Sequence, residues 1–183
     1  MAIAERLTIE ESARLVGRWE WAEARLYEVV GGWAPVAAGP AAKVYFDVCG
    51  QHHAWRARLW AERRPGLPSH FVHDYDSATT AIDELTGLSD DVGRLSAYCR
   101  VVLPRIVLGY RSWQERCSPV PDGPEARALG FALADVISDW ERGSALLAAY
   151  LSGEAAEAAA VSAAKAACQL DQSVARHGLL PDG

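Results

Sequence analysis

The chain has 183 residues, with 24 acidic against 18 basic side chains, a formal net charge of -6 and an apolar half. That balance fits one soluble domain able to bury roughly 70% of its unfolded surface and excludes a disordered tail. A pI near 5.4 argues against nucleic-acid binding, which calls for a basic stripe. No charge-poor run reaches the ~18 residues of a membrane span, and Glu5 and Arg6 interrupt the apolar stretch a signal peptide would need. Cys49, Cys99, Cys117 and Cys168 lack metal-finger spacing and read as reduced thiols, in keeping with a cytoplasmic protein.

Helical periodicity dominates and strand signals are almost absent, so the expected fold class is all-α. Helix one is expected from about Thr8 to Trp33, with Thr8 and Glu11 as a capping box and Gly31-Gly32 ending it. Helix two runs from about Pro40 to Arg64, stopped by Pro65-Gly66. Residues 65 to 88 are irregular, with a short helix near Ser77 to Leu85. Helix three starts at the Ser89-Asp90-Asp91 cap and ends near Cys117, with a kink expected at Pro104. Helix four spans Pro124 to about Leu151. An Ala-rich fifth helix, about Glu154 to Arg176, either caps the bundle or forms a dimer seam through the side carrying Val161, Ala164, Cys168 and Val174.

A short link makes the first two helices antiparallel, and the 24-residue segment after them is long enough to cross the bundle. The whole chain, 1–183, thus reads as a single helical-bundle domain with core 8–151 and accessory helix 154–176. Connectivity of this type is the ferritin-like pattern, although an up-and-down bundle also fits.

Phasing at about 100° per residue sorts the polar side chains. On helix one the stripe is Leu15, Trp19, Ala22, Leu26, Val29, Val30 and Trp33, with Glu23 just off its centre. On helix two it is Ala41, Val44, Tyr45, Val48, Cys49, Trp55 and Leu59, with His52 at its centre and His53 at its edge. The third helix offers Tyr110 and Trp113. On the fourth, Asp135 and Ser138 point outward, while Asp139 lies at a margin. An inward Glu needs a partner, because an unpaired buried carboxylate costs several kcal/mol or takes up a proton. His52 is the expected partner of Glu23, either as a structural pair or as an acid–base couple, with Tyr110 and Tyr45 beside it. Arg56 and Arg111 flank the stripes, where they either clamp an anionic ligand, pair with nearby acids or snorkel outward. The Trp residues make a bulky core or an aromatic pocket for a small molecule.

The long hairpins and the segments Trp19-Glu-Trp-Ala-Glu23 and Gln51-His-His-Ala-Trp55 resemble the ferritin-like superfamily, in particular actinobacterial ferritin-like proteins of unassigned role. The resemblance in layout covers about residues 8 to 151. It implies a four-helix bundle with a long crossover and an additional C-terminal helix. In the di-iron members, two helices each give a Glu and two give Glu-x-x-His. Glu23 matches the first Glu. Cys49-x-x-His52 or Gly50-x-x-His53 keeps the His without the Glu, and Asp135-x-x-Ser138 keeps a carboxylate without the His. A dinuclear site is therefore not expected. What remains is no metal, or a single Fe or Mn ion on Glu23, His52 and His53.

The resulting expectation is a small-molecule enzyme of specialised metabolism, using acid–base or mono-metal oxidative chemistry inside the bundle. Glu23, His52 and Tyr110 would be catalytic, and Tyr45, Trp19, Trp55, Trp113 and Arg111 would hold the substrate. The alternative is a non-catalytic ligand-binding or scaffold protein that keeps the fold without a metal. A small-molecule partner, no nucleic acid, no membrane and a possible homodimer complete the expectation. His70-Phe-Val-His73-Asp74-Tyr-Asp76 is the densest group of metal-ligand residue types, but a crossover normally carries such mixed polar residues.

Overall fold

The computed structural model describes residues 6–66, 75, 80–118, 120–153 and 155–180. Among them all regular structure is helical: α1 (Ile9–Trp33), α2 (Pro40–Ala61), the short α3 (Ala81–Glu84) with a 3-10 turn after it, α4 (Asp91–Ala97), a π-helical turn (Tyr98–Val102), α5 (Leu103–Arg116), α6 (Gly123–Leu151) and α7 (Ala156–His177). The His70–Asp76 motif lies outside the described residues apart from Tyr75. No helix among them is long and apolar enough to cross a membrane.

α1 begins where its capping box predicts. The Glu11 N–H donates to Thr8 Oγ1 at 3.2 Å, and the Thr8 N–H donates to Glu11 Oε2 at 2.8 Å, satisfying two amides that the first turn leaves open. The chain then doubles back. A Cβ on Gly50 would come within 2.8 Å of the Gly31 Cα, so paired glycines let the backbones of α1 and α2 touch. Further along the hairpin, Arg64 pairs with Glu20 at 2.6 Å.

From that end the chain must travel the length of the bundle. Asp91, which opens α4, accepts from the Ala38 and Gly39 amides at 3.0 and 2.8 Å, at the α1–α2 turn. α5 ends beside the start of α1, where Arg116 pairs with Glu11 at 2.9 Å. α6 returns to the turn end, where the Tyr150 hydroxyl bonds Asp91. α1 and α6 therefore point one way, and α2 and α4–α5 the other.

Pro104 does not simply kink the third rod. Proline has no N–H to donate, and its ring crowds the preceding turn. The chain resolves this with one wide turn: the Leu103 N–H donates to the Tyr98 carbonyl, five residues back, and α5 restarts with Pro104 in its first turn. Arg105 Nη1 donates to the Val101 carbonyl at 3.1 Å, covering an acceptor that the irregularity frees.

α7 packs on α4. Its inward side is Ala159, Ala163, Ala166, Leu170 and Ser173, and the Ser96 hydroxyl donates to the Ala163 carbonyl at 2.7 Å. This corrects the expected phase, because Val161 and Cys168 are exposed. Small residues bring the two backbones close, so α7 covers the bundle.

Candidate functional site

Two heptad-spaced seams meet in the α1–α2 hairpin. Along α1 the buried residues include Val16, Trp19, Glu23, Leu26, Val30 and Trp33. Along α2 they include Ala42, Phe46, Cys49, His53, Arg56 and Trp60. Steps of three and four residues keep each set on one face. Each seam carries charge at its middle, and the antiparallel pairing sets Glu23 against His53 and Arg56.

Glu23 Oε2 accepts from His53 Nδ1 at 2.5 Å and from Arg56 Nε at 3.0 Å, while Oε1 accepts from the Tyr110 hydroxyl at 2.5 Å. The Trp60 indole donates to Tyr110 at 2.9 Å, and the Tyr98 hydroxyl lies 2.7 Å from His53 Nε2. Glu23, His53, Arg56, Trp60, Tyr98 and Tyr110 are all without solvent exposure. An ionised carboxylate can only accept, so Nδ1 of His53 carries the ring proton and Nε2 accepts from Tyr98. Arg56 Nη2, 2.9 Å from Nδ1, is then an electrostatic neighbour of that nitrogen and not its donor.

Burial pushes the Glu23 carboxyl up, but the Arg56 and His53 charges, with hydrogen bonds from His53 and Tyr110, outweigh it and hold the group at about 2. Burial lowers the His53 pKa first, and Arg56 lowers it further, against the pull of Glu23. The imidazole is thus kept below its usual range. Burial also raises both phenols, reinforced at Tyr110 by the Glu23 charge. Both stay protonated donors.

A second carboxylate continues the network on α6. Asp139 has no exposure and receives His52 Nδ1 at 2.9 Å. Arg56 Nη1 makes no hydrogen bond and lies 3.6 Å from Asp139 Oδ2 and 3.7 Å from Asp135 Oδ2. One guanidinium therefore faces three carboxylates from two helices. Tyr45 donates to the Asp139 backbone carbonyl at 2.9 Å and sits 3.6 Å from Cys99 Sγ.

The structure redistributes the expected site residues. Glu23 and Tyr110 come together as expected, with Trp19 tilted against Tyr110 at 4.3 Å and Trp113 against Trp60 at 4.8 Å, centroid to centroid. The partner of Glu23 is His53. His52 lies at the margin, its side chain 29% exposed, bonded to Asp139. Val44 and Trp55, taken as inward, are exposed, and so is Arg111. The cause is that α2 has two apolar faces, with Lys43, Asp47, Gln51 and Arg58 on an exposed strip between them. The face built on Val44, Val48 and Trp55 looks purer than the true one, which holds His53 and Arg56. Helix phase gives no sign of Tyr98, puts Asp139 at a margin and sets Arg56 beside the stripe. The 42-46-49-53-56-60 heptad was the signal available for Arg56.

The expected metal trio is not assembled, since Glu23 and His53 meet but His52 belongs to a different pair. Among the described residues no three His, Cys, Asp or Glu are grouped to hold a metal ion. Glu23 already accepts three hydrogen bonds, and the Arg56 guanidinium lies near both it and the α6 carboxylates.

Comparison with protein-family models, with curated proteins and with solved structures finds no match. The site must be read from its own chemistry.

One groove lies near the network. Cys99, Arg100 and Pro104 from the π-helical region, with Trp140, Ser144 and Leu147 among the α6 residues, line about 390 Å³ of open space. Its floor residue Cys99 touches Tyr45, which in turn holds Asp139. Burial raises the Cys99 thiol to about 12, so it stays a neutral, weakly polar floor.

Proposed function

We propose that the protein is a ferritin-like bundle that works without a metal, as a small-molecule-binding protein and not as a redox enzyme. The observation carrying this reading is Arg56, whose guanidinium occupies the interior among Glu23, Asp135 and Asp139. A cation supplied by the chain balances charge that a metal ion would otherwise balance. The directions of α1, α2, α4–α5 and α6, with a full-length crossover, support the ferritin-like layout. The closed surroundings of Glu23 leave a substrate no access.

The groove beside the π-turn is the binding site in this reading. Its apolar wall of Trp140 and Leu147 and the exposed cation Arg100 suit an amphipathic ligand with an anionic head, and its size falls within the range of small-molecule sites. The test has two arms. Metal analysis of protein prepared with and without air is expected to find Fe, Mn and Zn far below one equivalent. Anilinonaphthalene sulfonate, an anionic aromatic probe, is expected to bind at micromolar concentration, more weakly to Arg100→Glu and hardly at all to the groove-filling Leu147→Trp. Stoichiometric metal, or probe binding indifferent to both substitutions, would overturn the reading.

A second reading rests on His52 and Asp139. A buried carboxylate orienting a partly exposed imidazole is the arrangement that prepares a general base. Under it the protein would accelerate hydrolysis of an activated ester such as p-nitrophenyl acetate, and His52→Gln and Asp139→Asn would lose that rate. Equal rates in all three proteins leave only the binding role.

A further inference from the structure

We propose that a second groove, between the 3-10 turn and α7, is a binding site for a zwitterionic amino acid with a branched aliphatic side chain. This groove holds about 530 Å³ of open space. It shares no residue with the groove beside the π-turn, so the two binding readings stand or fall separately.

The chain builds it from two sides. The Ala81 N–H donates to the Gly178 carbonyl at 3.1 Å, which pins the start of α3 to the end of α7. The turn at Leu85–Gly87 then lies across the groove from α7. On α7, Gln169, Gln172 and Arg176 follow at steps of three and four and so share one edge. The apolar lining includes Leu88 and Leu170, the first half-buried and the second buried. Gly87 keeps the mouth open, since even a Cβ there would meet nothing within 4 Å.

The charges select the ligand. Glu84, at the end of α3, and Arg176, on α7, line the groove with Oε1 and Nη2 3.7 Å apart. That separation is too long for a hydrogen bond. Arg176 Nε donates to the Gln172 carbonyl of its own helix at 3.3 Å, which anchors the guanidinium and leaves its Nη groups toward Glu84. A carboxylate and a guanidinium thus stand side by side at the rim, both exposed, without a hydrogen bond between them. A purely anionic ligand would meet Glu84 as a like charge, and a purely cationic one would meet Arg176. A ligand with both charges on one carbon satisfies both: its carboxylate accepts from the Nη groups and its ammonium donates to Glu84. A longer peptide carries its two charges at opposite ends and cannot place both here. The side chain of the amino acid then lies against Leu88 and Leu170, where branched methyl groups add apolar contact.

Nuclear magnetic resonance titration of the full-length, isotope-labelled protein tests the proposal with three probes of similar shape. L-Leucine carries both charges, isocaproate lacks the ammonium and isoamylamine lacks the carboxylate. Leucine is expected to bind with a millimolar Kd and to shift the Gly87 amide resonance, and each analogue to bind about fivefold more weakly. Two substitutions at these exposed positions should change that order while helicity by circular dichroism stays that of the wild type. Glu84→Gln should weaken leucine about fivefold and tighten isocaproate, because a like charge has gone. Arg176→Gln should weaken leucine and tighten isoamylamine for the same reason. Leu147→Trp, which fills the other groove, should leave leucine binding unchanged. The proposal is overturned by a Gly87 resonance that leucine does not shift, by leucine binding no tighter than both analogues, or by substitutions that change all three probes alike. Loss of leucine binding in Leu147→Trp would place the ligand in the other groove and overturn it as well.

Discussion

Arg56 Nε and Glu23 Oε2 meet at 3.0 Å with neither side chain exposed. Deleting one half of such a pair strands the other in a poorly polarisable interior. Arg56→Met is expected to cost about 3–5 kcal/mol of stability in urea unfolding. Adding Glu23→Gln should return part of that loss, so the double variant costs less than the sum of the singles. Additive losses would mean that the two side chains are not energetically coupled.

Acid should unfold the protein in two stages. The His53 pKa is lower folded than the ordinary 6.5, so below that pH the unfolded chain binds a proton more readily and stability begins to fall. Glu23 is held at about 2 against an ordinary 4.5. Its contribution is complete above 4.5 and disappears as the pH falls toward 2, and the shift corresponds to something on the order of 3 kcal/mol. Unfolding free energy followed from pH 7 to pH 2 should decline gently at first and steeply below 4.5. In Glu23→Gln the steep portion should be reduced.

Tyr98→Phe removes a hydroxyl and little volume, leaving His53 Nε2 buried without a donor. The expected loss is about 1–3 kcal/mol. The same substitution at the exposed Tyr27 should leave the thermal midpoint unchanged.

Gly50→Ala would drive a methyl group against the Gly31 backbone. Backbone cannot rotate away as a side chain does, so α1 and α2 must separate, at about 1–3 kcal/mol. The displacement should also lengthen the contact between Glu23 and His53, visible as a change in the imidazole proton resonance. Gly32→Ala, one residue from the touching position and with open space around its Cα, should be neutral or slightly stabilising through helix propensity.

The sequence discloses helices through caps, prolines and spacing, and these are local signals. Thr8 with Glu11, Pro40 and the Asp90 cap place helix starts because the interactions lie within four residues. The rotation of a helix about its axis is a tertiary property. α1 was phased well because Glu23 is its sole charged inward residue. α2 was phased badly because its core face carries two polar side chains, and its outer face carries none at Val44, Val48 and Trp55. The π-turn left only Pro104 as a trace. The wide turn begins at Tyr98, whose hydroxyl meets His53, and no periodicity rule for a regular helix anticipates it. Asp139 phases to a margin of the α6 stripe, and only its tertiary contacts with His52 and Arg56 mark it as interior.

The interior cation has a provenance that sets this molecule apart from any that must recruit one. Arg56 is made with the polypeptide and stays protonated, since Glu23 raises its pKa further against the opposing effect of burial. Its charge arrives at synthesis, is not drawn from a cellular pool, and offers no vacant orbital to a chelator or to dioxygen. In the reading proposed above, starvation for iron leaves the charge at this position unchanged.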